Sequence, residues 1–170
     1  MKVIVVDGYN VIGARDDLMR LKRRDISEAR HRLIEMLSEY KAYTGDRIIV
    51  VFDALYVKGT EQKTAKFDIE IIFTKEDETA DECIERLVKS LKNVKNQVYV
   101  ATSDYLEQTT IFSRGALRMP ARELFLDMDG VDDNIRRDID SVNSQRPKNS
   151  ISKDEKLYNQ LSNLRDRLSK

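Results

Sequence analysis

Residues 1–10 read Met1-Lys2-Val3-Ile4-Val5-Val6-Asp7-Gly8-Tyr9-Asn10. The four consecutive β-branched residues Val3 to Val6 spell a strand apolar on both faces, the pattern of a central parallel strand covered by helices on each side. The strand stops abruptly at Asp7-Gly8. Ligands of open α/β sheets bind in the crevice outside the carboxyl ends of the strands, so a carboxylate at this point faces the expected site. Asp7 and Asn10 are therefore the first functional candidates.

Outward from this stretch the pattern repeats. Asn10 to Arg24 is polar and basic, Asp25 or Ser27 can cap a helix, and Ile26, Ala29, Leu33, Leu37 and Tyr40 recur at three- and four-residue spacing. That spacing predicts an amphipathic helix over Ile26 to Tyr43, ending near Gly45, with Arg30, His31 and Arg32 on its solvated side. Arg47 to Phe52 is a second apolar strand and again ends in a carboxylate, Asp53. Leu55 to Lys66 reads as a loop or short hairpin, and Phe67 to Phe73 as a strand leading into the acidic Thr74 to Thr79. Thr79 caps a helix whose apolar stripe is Ala80, Cys83, Ile84, Leu87, Val88 and Leu91, with Asp81 and Glu82 in its first turn. Gln97 to Ala101 is a fourth strand, followed by Thr102-Ser103-Asp104, where Ser103 or Asp104 can cap a helix from Tyr105. Beyond it the reading is a turn over Ile111 to Pro120 and a helix over Ala121 to Met128. A linker over Asn143 to Ser152, around Pro147, and a last stripe of Leu157, Leu161, Leu164 and Leu168 follow.

The composition limits the function classes. At 170 residues the chain suits one domain, and 41% hydrophobic with 35% charged residues describes a soluble protein with a heavily charged surface. Its longest apolar runs are strand-sized, well short of the roughly 20 residues of a spanning helix, and Lys2 alone does not make a signal peptide. The expectation is a cytoplasmic protein with no membrane partner. The one cysteine, Cys83, permits no internal disulfide and reads as core. Thirty basic and thirty acidic residues give a formal net charge of zero, so there is no general attraction to nucleic acid. Charge is segregated locally, −6 over Asp68 to Glu82 and +4 over Arg136 to Lys170.

Strands alternating with helices imply a mostly parallel sheet. Parallel order brings Asp7, Asp53 and Asp104 to one edge, and the helix opening at Asp81 starts there too if a strand precedes it. Carboxylates converging in this way raise one another's pKa unless a cation neutralises them. A hard divalent cation such as Mg²⁺ or Mn²⁺ prefers oxygen ligands and commonly handles phosphate groups. The chain offers no Cys/His cluster for zinc, no Walker-type glycine-rich loop and no Ser-His-Asp arrangement. Taken singly, Asp7-Gly8 reads equally as a turn, Asp53 and Asp104 as helix caps and Asp81 as a response to the helix dipole.

The ordered set Val5-Val6-Asp7-Gly8-Tyr9-Asn10-Val11-Ile12, Val51-Phe52-Asp53, Thr79-Ala80-Asp81, Thr102-Ser103-Asp104, Ser113-Arg114-Gly115-Ala116 and Ala121-Arg122-Glu123-Leu124 resembles the bacterial YacP-type NYN domains of the PIN-like nucleases. The resemblance runs from residue 1 to about 140. It implies a Rossmann-like sheet and a metal-dependent ribonuclease, with Asp7, Asn10, Asp53, Asp81 and Asp104 at the family's acidic site. The expected organisation is a nuclease domain over 1–142 and a linker with a basic C-terminal helix over 143–170. On this reading Asp7, Asp53, Asp81 and Asp104 hold Mg²⁺ or Mn²⁺. Asp7, Asp81 and Asp104 act on an RNA phosphodiester, with Asn10 orienting a phosphate or a metal-bound water. Arg114, Arg118 and Arg122 contact RNA, Arg20, Lys22, Arg23 and Arg24 clamp its backbone from another connection, and Tyr9 is either a base-stacking or a buried aromatic. The basic C-terminal region is expected to dock on a ribonucleoprotein such as the ribosome, which would present mRNA. The competing readings are an RNA-binding adaptor with a vestigial acidic site and a metal-dependent phosphatase of small phosphomonoesters.

Overall fold

The computed structural model describes residues 1–54, 62–66, 68–75, 77–104 and 115–145. Its strands are β1 (Lys2–Asp7), β2 (Arg47–Phe52), β3 (Gln62–Lys66), β4 (Ile69–Phe73), β5 (Gln97–Thr102) and β6 (Leu117–Pro120), and they form one sheet in the order β3-β4-β2-β1-β5-β6. The apolar run Val3 to Val6 is wholly buried because β1 has a parallel neighbour on each side. Val3 stands beside Arg47 of β2 and Lys2 beside Gln97 of β5. β4 and β6 extend the parallel set outward, and β3 adds an antiparallel edge strand. The fold is thus the mostly parallel α/β sheet that the sequence predicts.

The helices are α1 (Gly8–Gly13), α2 (Asp16–Arg24), α3 (Ile26–Thr44), α4 (Ala80–Leu91) and α5 (Ala121–Gln145). The α4 stripe Ala80, Cys83, Ile84, Leu87, Val88 and Leu91 forms one core with Val3, Val5, Ile49, Val51, Ile72, Val98 and Val100, the alternate residues of one sheet face. The intervening residues Ile4, Val6, Ile48 and Val50 are equally buried, and α1 and α3 contact these strands. Helix α3 has the expected ends. Asp25 accepts from the N–H groups of Ser27 and Glu28, and Gly45, at φ 73°, takes the left-handed position after the last turn.

Three elements differ from expectation. The polar stretch after Asn10 holds α1 and α2. Helix α2 buries only Leu18, so its apolar period is faint, but Asp16 and Asp17 in its first turn and Lys22, Arg23 and Arg24 in its last suit the helix dipole. The second is β6, where the sequence predicts a turn: Leu117–Pro120 is a four-residue strand with Met119 buried, ended by a proline that edge position tolerates. Third, the helix expected to stop at Met128 runs to Gln145, three residues into the expected linker. Its buried stripe of Ala121, Leu124, Phe125, Met128 and Val131 runs past the exposed Gly130, where an added Cβ would face open space. The chain divides into two compact units, Met1–Asp132 and Asp133–Lys170. Residues 55–61, the helix expected from Tyr105, Ser113-Arg114 and the leucine stripe from Leu157 lie outside the described residues. Among the described residues no helix is long and apolar enough to cross a membrane.

Candidate active site

Each of the four predicted carboxylates stands at a strand end or a helix start, and each is braced by a neighbouring polar group. Asp7 closes β1 and caps α1, its Oδ1 accepting from the Asn10 N–H at 3.2 Å. The turn after it requires glycine, because a Cβ on Gly8 would come within 2.2 Å of Phe52 Cε1. Asp53 follows β2 and is bracketed by Thr74: the Thr74 N–H donates to Phe52 O at 3.0 Å, and the Ala54 N–H donates to Thr74 Oγ1 at 2.9 Å. Beyond β5, the Asp104 N–H donates to Thr102 Oγ1 at 3.1 Å, and the Ser103 N–H donates to Asn10 Oδ1 at 2.7 Å. Asp81 is the second residue of α4, within a capping box in which Thr79 Oγ1 accepts from the Glu82 N–H and Glu82 Oε2 from the Thr79 N–H. Glu82 is thereby committed to the cap, and Asp81 is exposed.

The buried polar side chains among the described residues are Asp7, Thr74 and Thr102, all at this carboxyl edge of the sheet. A fold tolerates buried polar groups where they are bonded or used. Asp7, 7% exposed, has its pKa raised to about 6, chiefly by burial. The Asn10 N–H opposes the rise, and the charges of Asp81, Asp104 and Asp53 add to it. Burial also raises Asp81, with contributions from Asp104, Glu85, Asp53 and Glu82. The four carboxylates therefore share one electrostatic field, as parallel strand order predicts.

This donor set is all oxygen and all anionic, which fits a hard divalent cation and not zinc or copper. Among the described residues no three acidic, histidine or cysteine side chains form a group that could hold a metal ion. The edge is thus no closed protein cage. A Mg²⁺-type ion, which keeps several waters and takes one or two carboxylates, does not require such a group.

The remaining candidates are distributed as follows. Asn10 spends its carbonyl on Ser103, tying the first turn to the end of β5. Tyr9 is no open stacking platform: its ring packs 5.1 Å from that of Phe52, Lys22 Nζ lies 5.4 Å from its centroid, and its hydroxyl accepts from Arg30 at 2.8 Å. Arg122 is exposed in the first turn of α5, two residues after Pro120, which pairs with Thr102 at the carboxyl edge. Arg118 is exposed two residues further back along β6, beside Val100, and Arg114 lies outside the described residues. His31 makes a surface contact with Glu35 at 3.1 Å. Thr74 and Thr102 brace the strand ends that carry Asp53 and Asp104, and sequence reasoning passes over both; the position of Thr74 directly after β4 is the one local signal for it.

A sequence model of the YacP-like NYN domain matches residues 4–166. The uncharacterized protein YacP of Bacillus subtilis (strain 168) is 48% identical over 157 residues, 92% of either chain. The fold matches the crystal structure of Rae1 (YacP) from Bacillus subtilis with TM-score 0.75 and 46% identity, covering 98% of this chain and 95% of that one. A crystal structure of a mutant of the same protein matches with TM-score 0.76 and 46% identity over 86% of this chain and 87% of that one.

Proposed function

The chain belongs to the YacP-like NYN domain family, and from that premise we propose that it is an endoribonuclease that hydrolyses RNA phosphodiester bonds with Mg²⁺ or Mn²⁺. The observation that carries the proposal is the buried Asp7, its pKa lifted to about 6 in the shared field of Asp53, Asp81 and Asp104. The bond to the Asn10 N–H accounts for one carboxylate oxygen as a helix cap, but the cap alone does not call for three more acids in the field of a desolvated carboxylate. Asp7 and Asp81 are the principal ligands, with Asp53 and Asp104 as further ligands or as acceptors for bound water. When bound, the cation supplies an activated water and offsets charge on the phosphate oxygens.

The chain's own groups do the rest. Asp7 Oδ1 is held by the Asn10 N–H, so Oδ2 is the oxygen turned to the ligand's task. A cation at this position would hold Asp7 ionised, since a ligating carboxylate must give up its proton, and would relieve the desolvation that raises its pKa in the free chain. Thr102 and Asn10 fix the loop that carries Asp104, and Thr74 fixes the end of β2 that carries Asp53. Arg122, exposed at the same edge, is a phosphate contact, with Arg118 and Arg114 as further RNA contacts.

Affinity for free RNA is low on this proposal, because a chain of zero net charge carries no broad positive field. A ribonucleoprotein such as the ribosome then presents the mRNA, with the basic residues from Arg136 onward as the docking segment. Purified full-length protein, incubated with Mn²⁺ and labelled RNA, is expected to produce internal cuts. Asp7→Asn and Asp81→Asn each lower the rate at least ~100-fold, as loss of the water-activating group would. Turnover of a small phosphomonoester without RNA cleavage identifies a phosphatase instead, and RNA binding without cleavage under any divalent cation identifies an adaptor. Equal rates on naked RNA and in a ribosome-containing extract remove the presentation step.

A further inference from the structure

We propose that Arg30 is a phosphate-binding residue of the RNA site and that Tyr9 is the positioning residue that holds it there; this rests on the ribonuclease reading. Arg30 stands in the second turn of α3, half-exposed, on the helix face that the sequence assigns to solvent. Its Nη1 donates to the Tyr9 hydroxyl and its Nη2 to Ser27 Oγ, each at 2.8 Å, and its guanidinium carbon lies 5.8 Å from the Phe73 ring centroid. Both acceptors are uncharged hydroxyls. They orient the guanidinium without neutralising it, and they engage two of its five N–H donors. A planar fork held in this way matches the oxygens of a phosphodiester, and the orientation is prepaid before a ligand arrives.

The bracket behind Arg30 is a run of packed aromatic rings that leads to the acidic edge. Tyr9 lies two residues after Asp7 and rests on Phe52, the residue before Asp53; Phe52 in turn stacks on Phe73 with centroids 5.6 Å apart. Lys22 places its ammonium over the Tyr9 ring, a second cation beside the guanidinium that the Tyr9 hydroxyl accepts from. Arg30 and Lys22 thus form a cationic wall on the β2–β4 flank of the carboxylates, across β1 from Arg122. An edge of four acids repels an RNA backbone. A fixed cation on its flank offsets that repulsion and gives the strand a direction across the site.

The test uses the full chain carrying Asp81→Asn to silence cleavage, and a short labelled single-stranded RNA read by fluorescence polarisation over a salt series. Arg30→Gln is expected to weaken binding about 10-fold, the loss of one charge-assisted contact. It should also flatten the log–log salt slope by about 0.7, one phosphate on a single strand. Arg30→Lys keeps the slope and recovers part of the affinity, because charge remains without the fork. Tyr9→Phe retains the slope yet weakens binding about threefold, since the cation is present but no longer held. In the cleaving chain, Arg30→Gln raises KM with kcat little changed. Unchanged affinity, slope and KM in Arg30→Gln overturn the proposal while leaving the nuclease reading intact. If the unsubstituted chain neither binds nor cleaves RNA, that reading falls and takes the Arg30 assignment with it.

Discussion

Desolvation decides the sign of Asp7's effect on stability. Its folded pKa, about 6, lies above the ordinary 3.8, so the folded state holds the proton more tightly than the unfolded chain does. Stability from this group is complete below pH 4 and is lost as pH rises through 6, a cost of about 3 kcal/mol at neutrality on the usual conversion of pKa shift to free energy. Asp7→Asn should therefore raise the melting temperature at pH 7 in EDTA, with a gain that disappears by pH 4. A loss of equal size at both pH values would show that the carboxylate's bond to Asn10, not its charge, dominates. The positions of Asp7, Asp53, Asp81 and Asp104 were legible because a residue at the end of a strand or start of a helix is located by the element itself. Thr74 and Arg30 were not. The bond from Ala54 to Thr74 exists only once β2 and β4 are paired, and the Arg30 contact joins α3 to the turn after β1, so neither pairing is written in local spacing.

Among the elements, α4 carries a site residue in its opening turn, and its capping box is the local device that fixes that turn. Thr79→Ala removes the hydroxyl that accepts from the Glu82 N–H and should cost about 1 kcal/mol. Because Asp81 lies between the two box residues, cleavage should fall more than the population of folded protein does; a fall matched by fraction unfolded would reduce Thr79 to a stability role. Strong periodicity made α3 and α4 readable nearly to the residue, as continuous apolar runs did for β1 and β2. The failures have distinct causes. Helix α2 buries Leu18 alone, β6 is four residues long and ends in proline, and α5 continues as an exposed charged helix past Val131, where apolar period no longer marks it.

At the scale of the whole molecule the carboxylates act together on the response to metal. A cation that binds only the folded chain stabilises it by mass action and competes with protons for Asp7. Mn²⁺ should therefore raise the melting temperature at pH 7 and do so less at pH 5, where Asp7 is mostly protonated. The same increment at both pH values, or an undiminished one in Asp7→Asn, would place the ion elsewhere. The central position of β1 has a further consequence, for the order of events during synthesis. β1 precedes both its neighbours in the chain, yet its hydrogen bonds wait for β2 on one side and for β5 on the other. Until Thr102 has been added, a growing chain carries Val3 to Val6 with the β5 edge unpaired, and Asn10 has no Ser103 to grip. Pairings this distant in sequence make folding slow and leave the early chain prone to aggregate. They also mean that a half-made polypeptide has no assembled acidic edge, so the activity proposed here arises only after the chain has passed Asp104.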